Sequence, residues 1–249
     1  MKIVSYNIQD GGIGRESHIL NAIEQFDPDV LILQEVTNLN LIEKISKDNM
    51  FLYGAQGNSK RSLALLSKYR LSYFKSFHPF PLKHTLLEAK LKRGHEEISF
   101  FGVHLAAYPF LFFEFWRLLE IYVILSRINR LGVKNIIMCG DFNSVAPSDT
   151  VSLNSIPSWM KVILVLTQGG RFPRYVIKNL HKAGLLDCYK ELNNDAGYTL
   201  PALNPHIRLD YFFISQSLKH KIDKCQVVME PDILKLASDH FPILLEIDV

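Results

Sequence analysis

Ser238-Asp239-His240-Phe241-Pro242 places an adjacent aspartate and histidine at the end of an otherwise apolar terminal stretch. Ionisable groups in such a setting must be paired to be tolerated, so the segment calls for partners elsewhere in the chain. Four distant segments offer them: Asn7 in Ser5-Tyr6-Asn7, Glu35 in Leu33-Gln34-Glu35-Val36, His104 in Val103-His104-Leu105, and Asp141 with Asn143 in Cys139-Gly140-Asp141-Phe142-Asn143. Each polar residue closes a short apolar run, respectively Lys2 to Tyr6, Val30 to Leu33, Ile98 to Val103 and Asn135 to Cys139. Runs of this kind, bounded by turn residues, read as buried strands. Carboxylates, amides and imidazoles at several strand ends are the parts of one site carried over a rigid sheet.

These residue types suit phosphoester chemistry. Hydrolysis of a phosphodiester needs a divalent cation to neutralise phosphoryl oxygens, a group that positions or deprotonates water, and donors aimed at the developing charge. Glu35 is a hard oxygen ligand of the kind Mg²⁺ prefers, and Asn7 and Asp239 offer further oxygens.

Taken in order, Gly-Asp-Phe-Asn after an apolar strand, Arg208-Leu209-Asp210-Tyr211 and the terminal Ser-Asp-His resemble the endonuclease/exonuclease/phosphatase superfamily of DNase I-like, metal-dependent phosphoesterases, and the likeness runs from Lys2 to Val249. The resemblance implies a four-layer α/β sandwich, two mixed β-sheets packed face to face and flanked by helices, where periodicity alone gives only α/β. It implies Mg²⁺, with Mn²⁺ as a substitute, held by Glu35, Asn7 and Asp239. It assigns Asp210 as the carboxylate that orients His240, the dyad acting as general base or as a charged phosphate clamp. Asp141 then holds the attacking water, while Asn143 and His104 donate to the non-bridging oxygens. Two supporting positions follow. Glu88 sits where DNase I-like members carry a glutamate that orients the histidine, the other reading being a solvent-facing strand carboxylate. Arg117 sits where bacterial relatives carry a helical arginine, either pairing with a site carboxylate or keeping that helix soluble.

The 249 residues, 48% hydrophobic and 21% charged, contain no linker-like or repetitive stretch, so one catalytic domain over 1–249 is expected. Helical patterns are expected at Ser17 to Gln25, with Ser17 as N-cap, and at Ile177 to Ala183 before Gly184. Three cysteines, Cys139, Cys188 and Cys225, are too few and too apolar in setting for a disulfide framework. With the first strand starting at Lys2, a cytoplasmic protein without a secretory signal is expected. The apolar region Leu105 to Leu125 is interrupted by Pro109, Glu114, Arg117 and Glu120, which argues against a transmembrane helix.

Substrate is read from smaller signals. A net charge of +3 is a weak footprint for duplex nucleic acid, despite the clusters Lys60-Arg61 and Arg171 to Arg174. The abasic-site and exonuclease III branch opens with Trp-Asn, where this chain has Tyr6-Asn7, and carries a tyrosine-bearing loop where this chain has His104-Leu105-Ala106-Ala107. The chain is in these respects similar to DNase I, the sphingomyelinase-like enzymes and bacterial hydrolases with a Gly-Tyr-Thr-x-Pro-Ala segment, present here at Gly197 to Ala202. Tyr108 to Trp116 is rich in aromatics that suit base stacking, a lipid interface or, at helical spacing, packing on the sheet, the last being the expectation for most of them. A second apolar block runs from Trp159 to Leu166. A phosphodiesterase of nucleic acid is placed slightly ahead of a phospholipid headgroup phosphodiesterase with peripheral membrane contact or a phosphatase. A non-catalytic binding module comes last, and no obligate protein partner is indicated.

Overall fold

The computed structural model describes residues 1–57, 62–108, 110–152, 158, 161–162, 165–166, 170 and 172–249. Among the described residues, twelve strands form two six-stranded sheets. The first contains β1 (Lys2–Asn7), β2 (Val30–Val36), β3 (Tyr53–Gln56), β4 (Ser62–Ser67), β11 (Ile222–Val227) and β12 (Ile243–Ile247), in the order β11-β12-β1-β2-β4-β3. The second contains β5 (Leu71–Phe77), β6 (Leu86–Arg93), β7 (Glu96–His104), β8 (Ile136–Asp141), β9 (Leu185–Asp187) and β10 (Asp210–Ser215), in the order β5-β6-β7-β8-β10-β9. Each sheet has one parallel pair, β1 with β2 and β7 with β8, and antiparallel neighbours elsewhere. A parallel pair requires a crossover. Helix α1 (Glu16–Phe26) makes one and α3 (Leu111–Leu131) the other. Shorter helices include α2 (Leu39–Asp48), α4 (Tyr175–Lys182), α5 (Cys188–Leu192) and α6 (Leu234–Ala237).

Alternation along the strands sorts side chains into three cores. Ile3, Ile32 and Leu65 of one sheet meet Leu87, Phe100, Ile137 and Phe212 of the other. Val4, Tyr6 and Leu31 turn outward against α1 and α2, while Phe101, Met138 and Phe213 turn outward against α3 and α4. The result is the expected four-layer sandwich. All three cysteines are free and buried, and burial pushes each thiol well above its ordinary value.

The helix expectations hold in place but not in detail. Helix α1 begins at Glu16, so Ser17 lies inside its first turn rather than at the N-cap. Backbone N–H groups of Glu16 and Gly14 instead bond the Glu16 carboxyl and hold it below its ordinary value. Helix α4 starts at Tyr175 and ends at Lys182, with Gly184 in the left-handed region (φ +84°) just past the C-cap Ala183.

Helix α3 reverses the expected packing. Glu114, Arg117 and Glu120 are buried, whereas none of the described aromatic side chains from Tyr108 to Trp116 is. Glu114 accepts from the backbone N–H of Tyr175 (2.7 Å) and Val176 (3.1 Å), capping α4, and from Ser144 Oγ. Arg117 pairs with Glu114 (3.0 Å) and donates to the carbonyls of Ala106 and Tyr108. Glu120 accepts from the N–H groups of Lys83 and Ala106. The three charges therefore tie the loop after β7 to α3 and α4. Arg117 is thus buried rather than on the helix surface, and the carboxylate it pairs with is Glu114. Lys60, Arg61, Pro109, Trp159, Met160, Ile163, Leu164 and Arg171 lie outside the described residues.

Candidate active site

Strand register brings the distant polar residues together. Along β7, Phe100, Gly102 and His104 share one face; along β8, Ile137, Cys139 and Asp141; along β10, Asp210, Phe212 and Ile214. His104 is paired with Asp141, and Asp141 with Asp210, so the three stand abreast at one end of the second sheet. Each continues a row whose apolar members lie between the sheets, and the row ends where Asn7 closes the same inward row, Ile3-Ser5-Asn7, on β1.

Two backbone irregularities complete the set. By alternation Glu35 would turn away from Gln34. The β2–β4 register shifts between Leu33 and Val36, and Glu35 adopts φ +61°. A bulge with a non-glycine residue in the left-handed region re-aims a side chain at a local cost. Here it brings the Glu35 carboxylate to Asn7 Nδ2 (3.4 Å) and the N–H of Asp10 (2.8 Å). Gly140, at φ +138°, lies so close to Val103 that a Cβ would fall 1.9 Å from its carbonyl oxygen. Only glycine fits before Asp141.

Asp141 accepts from Asn7 Nδ2 (3.2 Å) and from the backbone N–H of Asn143 (2.8 Å). Asn143, at φ +49°, donates Nδ2 to Leu105 O, which leaves one amide hydrogen for a ligand. His104 Nε2 is 3.6 Å from Asp141 Oδ2, and its ring stacks on His84 at 4.2 Å between centroids. His240 Nδ1 bonds Asp210 Oδ2 at 2.8 Å, while its Nε2 faces Asp141 Oδ2 at 3.8 Å. Ser238 Oγ fixes this turn by donating to Asn7 O (2.7 Å) and accepting from the His240 N–H.

The electrostatics follow from burial and crowding. Burial and the neighbouring Asp210 charge push Asp141 up to about 7, against the pull of His240. Burial lowers His240, but Asp210, with help from Asp141 and Asp239, outweighs it and lifts the imidazole to about 10. Asp239 is raised by burial, although the His240 charge opposes this. Asp141, Asp210 and His240 place ligand-type atoms within 4.8 Å of one another. With Glu35 and Asp239, four carboxylates converge on one protonated imidazole. Such an excess of hard anionic oxygens fits a divalent cation. Asn7 now turns its nitrogen toward the carboxylates, its oxygen being taken by the N–H of Gln9 (3.0 Å), so ligation through oxygen requires the amide to turn.

Glu88 is not brought to the site. It lies on the opposite face of β6 from the inward row, buried, and Arg127 holds both its oxygens (2.7 and 2.9 Å). Neither the orienting nor the solvent-facing reading describes it. Arg208 was quoted only as part of a motif, yet it is fully buried, bonded to Asp149 (2.9 and 3.0 Å) and Asp187 (3.0 and 2.5 Å) and stacked over Tyr211. Thr199, inside the Gly197–Ala202 segment, accepts from the N–H of Leu209 and Asp210, and its carbonyl accepts from Phe241. It braces both members of the dyad. Its signal in sequence was the segment itself, whereas His84 had none beyond two residues' distance from a strand. Beside Asn143 and Asp239 opens a largely apolar cavity of about 440 Å³, walled by Val145, Phe172, Leu200 and Ile207.

The comparisons agree with this fold. A 3′ phosphatase, NExo, from Neisseria bound to a product DNA hairpin superposes with a TM-score of 0.77 at 18% identity, each chain covered in full. An AP endonuclease from Archaeoglobus fulgidus gives 0.73 at 19% identity, and an endonuclease/exonuclease/phosphatase family protein from Leptotrichia buccalis 0.71 at 18%, again with full coverage of both chains. No curated protein matches the sequence closely enough to be reported. The model of the Endonuclease/Exonuclease/phosphatase family matches residues 4–240. With that match across the strands that carry His104, Asp141 and Asp210 and the turn that carries His240, the chain belongs to the endonuclease/exonuclease/phosphatase family of phosphoester hydrolases.

Proposed function

We propose that residues 1–249 form one Mg²⁺-dependent phosphodiesterase domain whose substrate is nucleic acid. The observation that carries the reaction is the row His104, Asp141, Asp210 with His240 bonded to Asp210. When bound beside Glu35, Asp239 and a turned Asn7, Mg²⁺ or Mn²⁺ supplies neutralisation of the phosphoryl oxygens. His240, protonated up to about pH 10 in the metal-free protein, fits the charged clamp rather than the general base. Asp141, near 7, fits the group that holds water and accepts its proton as the P–O bond to the leaving oxygen breaks. His104 and the remaining Asn143 N–H donate to non-bridging oxygens. Nucleic acid is supported by the DNA hairpin bound to one structural neighbour and by the name of another, an AP endonuclease. A phospholipid headgroup is the second reading, favoured by the exposed aromatics next to the cavity. Buried unpaired thiols fit a reducing, cytoplasmic setting.

The test is a parallel assay with Mg²⁺ on plasmid DNA, an abasic duplex, sphingomyelin vesicles and a chromogenic phosphodiester, using wild type and Asp141→Asn. Cleavage of a DNA substrate that is abolished by chelator and by Asp141→Asn supports the reading. Turnover of vesicles without DNA cleavage overturns the substrate, and full activity in chelator overturns the mechanism.

A further inference from the structure

The first half of helix α3 turns its aromatic side outward, whereas Ile121, Ile124 and Ile128 further along pack on the sheet. From Leu111 to Leu125 every charged residue faces the protein, and Phe112, Phe115, Leu119 and Tyr122, spaced along one face, are each more than half exposed. A helix that packs on a sheet normally does the reverse. Ring contacts extend the patch beyond the helix: Trp116 meets Phe80 (5.8 Å), Phe115 meets Tyr175 (5.9 Å), and Tyr108 meets Phe113 (5.1 Å) at the edge of the cavity beside Asp239. A continuous exposed aromatic surface of this kind marks a docking site.

The charge around the patch selects what docks. Among the described residues, the stretches that frame it, 78–87, 105–108, 110–113 and 172–186, contain no aspartate or glutamate, yet carry Lys83, Arg174, Lys178 and Lys182. Lys83 Nζ stands 4.8 Å over the Trp116 ring, and Lys178 is exposed on α4 beside Tyr175. An apolar face whose described rim carries cations and no acids complements an anionic surface with an apolar interior. A second copy of this chain fits poorly, because two such faces would oppose lysines to lysines with no carboxylate on either. Among the described residues no helix is long and apolar enough to cross a membrane. We propose that this protein docks on anionic lipid bilayers through the outer face of α3, lying on the surface with its active-site cavity beside the interface. The proposal concerns where the enzyme sits and holds for either substrate class.

The experiment is co-sedimentation of the full chain, in chelator, with vesicles of equal parts phosphatidylcholine and phosphatidylglycerol, against vesicles of phosphatidylcholine alone. Wild type should bind the mixed vesicles, less so at high salt. Phe112→Ser with Phe115→Ser should lower the partition coefficient by about tenfold or more, because two exposed rings no longer insert. Lys83→Glu with Lys178→Glu, which leaves the apolar face intact, should reduce binding to the mixed vesicles selectively. Thermal midpoints and metal-dependent hydrolysis of a soluble chromogenic phosphodiester should match wild type in both variants, and the binding readout needs no turnover. The proposal is overturned by wild-type protein that ignores mixed vesicles, by both variants binding as wild type does, or by a wild-type dimer that the serine variant dissolves while vesicle binding is absent.

Discussion

Asp210→Asn tests whether Asp210 and His240 act as one unit. Asp210 contributes both its charge and a 2.8 Å hydrogen bond to the imidazole, and with them His240 rises from 6.5 to about 10. Burial pulls the other way and only Asp141 and Asp239 are left to oppose it, so in the metal-free variant the imidazole should titrate well below about 10. Each unit of that fall corresponds to about 1.4 kcal/mol of lost preference for the imidazolium. The sign fixes the pH window for stability. A histidine whose folded value is raised contributes stability fully below its unfolded value of about 6.5, and loses that contribution as pH climbs toward about 10. The stability gap between wild type and Asp210→Asn should thus be largest below pH 6.5 and close by pH 10. In turnover with metal, the variant should lose roughly 10²–10⁴-fold, and His240→Ala with Asp210→Asn should be little worse than the poorer single variant. The readouts are ¹⁵N NMR titration of the imidazole, urea unfolding across pH and steady-state kinetics. An imidazole that titrates near 6.5 in both proteins, or multiplicative losses in the double variant, would refute the reasoning.

Glu35→Gln should raise the Mg²⁺ concentration needed for half-maximal activity and slow turnover, while chelated wild type keeps its thermal midpoint because the three cores fold without the ion; an unchanged metal dependence would remove Glu35 from the site. Glu88→Gln should lower stability by about 1–3 kcal/mol in urea unfolding through the weakened Arg127 pair, and spare the turnover rate; a slow but stable variant would return Glu88 to the His104 shell. Arg208→Met should cost about 3–5 kcal/mol, since Asp149 and Asp187 are left buried without their cation; a loss within experimental error would show that Lys190 and water compensate.

The sheet and its site residues were legible for one physical reason. A strand end is marked in sequence by an apolar run that stops at a polar residue, and strand register then aligns such ends without further information. His104 and Asp141 needed nothing more, whereas Asp210, the first residue of its strand, came from the resemblance. Glu35 was found by type, but its aim depends on a bulge that alternation would have denied. Glu88 illustrates the opposite failure. Its position one strand before His104 was right for an orienting carboxylate, yet the period of two puts it on the helix side, where Arg127 of α3 captures it. Arg208 and Thr199 escaped the sequence reading because their partners, Asp149 and Asp187 for the one and the N–H groups of Leu209 and Asp210 for the other, are brought near by tertiary packing that no local pattern records.

Helix α3 shows where periodicity itself stops. The spacing of Glu114, Arg117 and Glu120 defines a stripe three residues apart, and any such stripe divides a helix into two faces without saying which meets the sheet. The usual inference, apolar inward, weighs burial of hydrocarbon against exposure of charge. Here each charge has specific acceptors or donors waiting inside: the open N-terminus of α4 for Glu114, the carbonyls of Ala106 and Tyr108 for Arg117, and the N–H groups of Lys83 and Ala106 for Glu120. Those partners are backbone groups of loops that would otherwise be buried unsatisfied, which makes the charged face the one the interior needs. The aromatic face is left outside by this choice, and its exposure is a consequence of how the site loops are held.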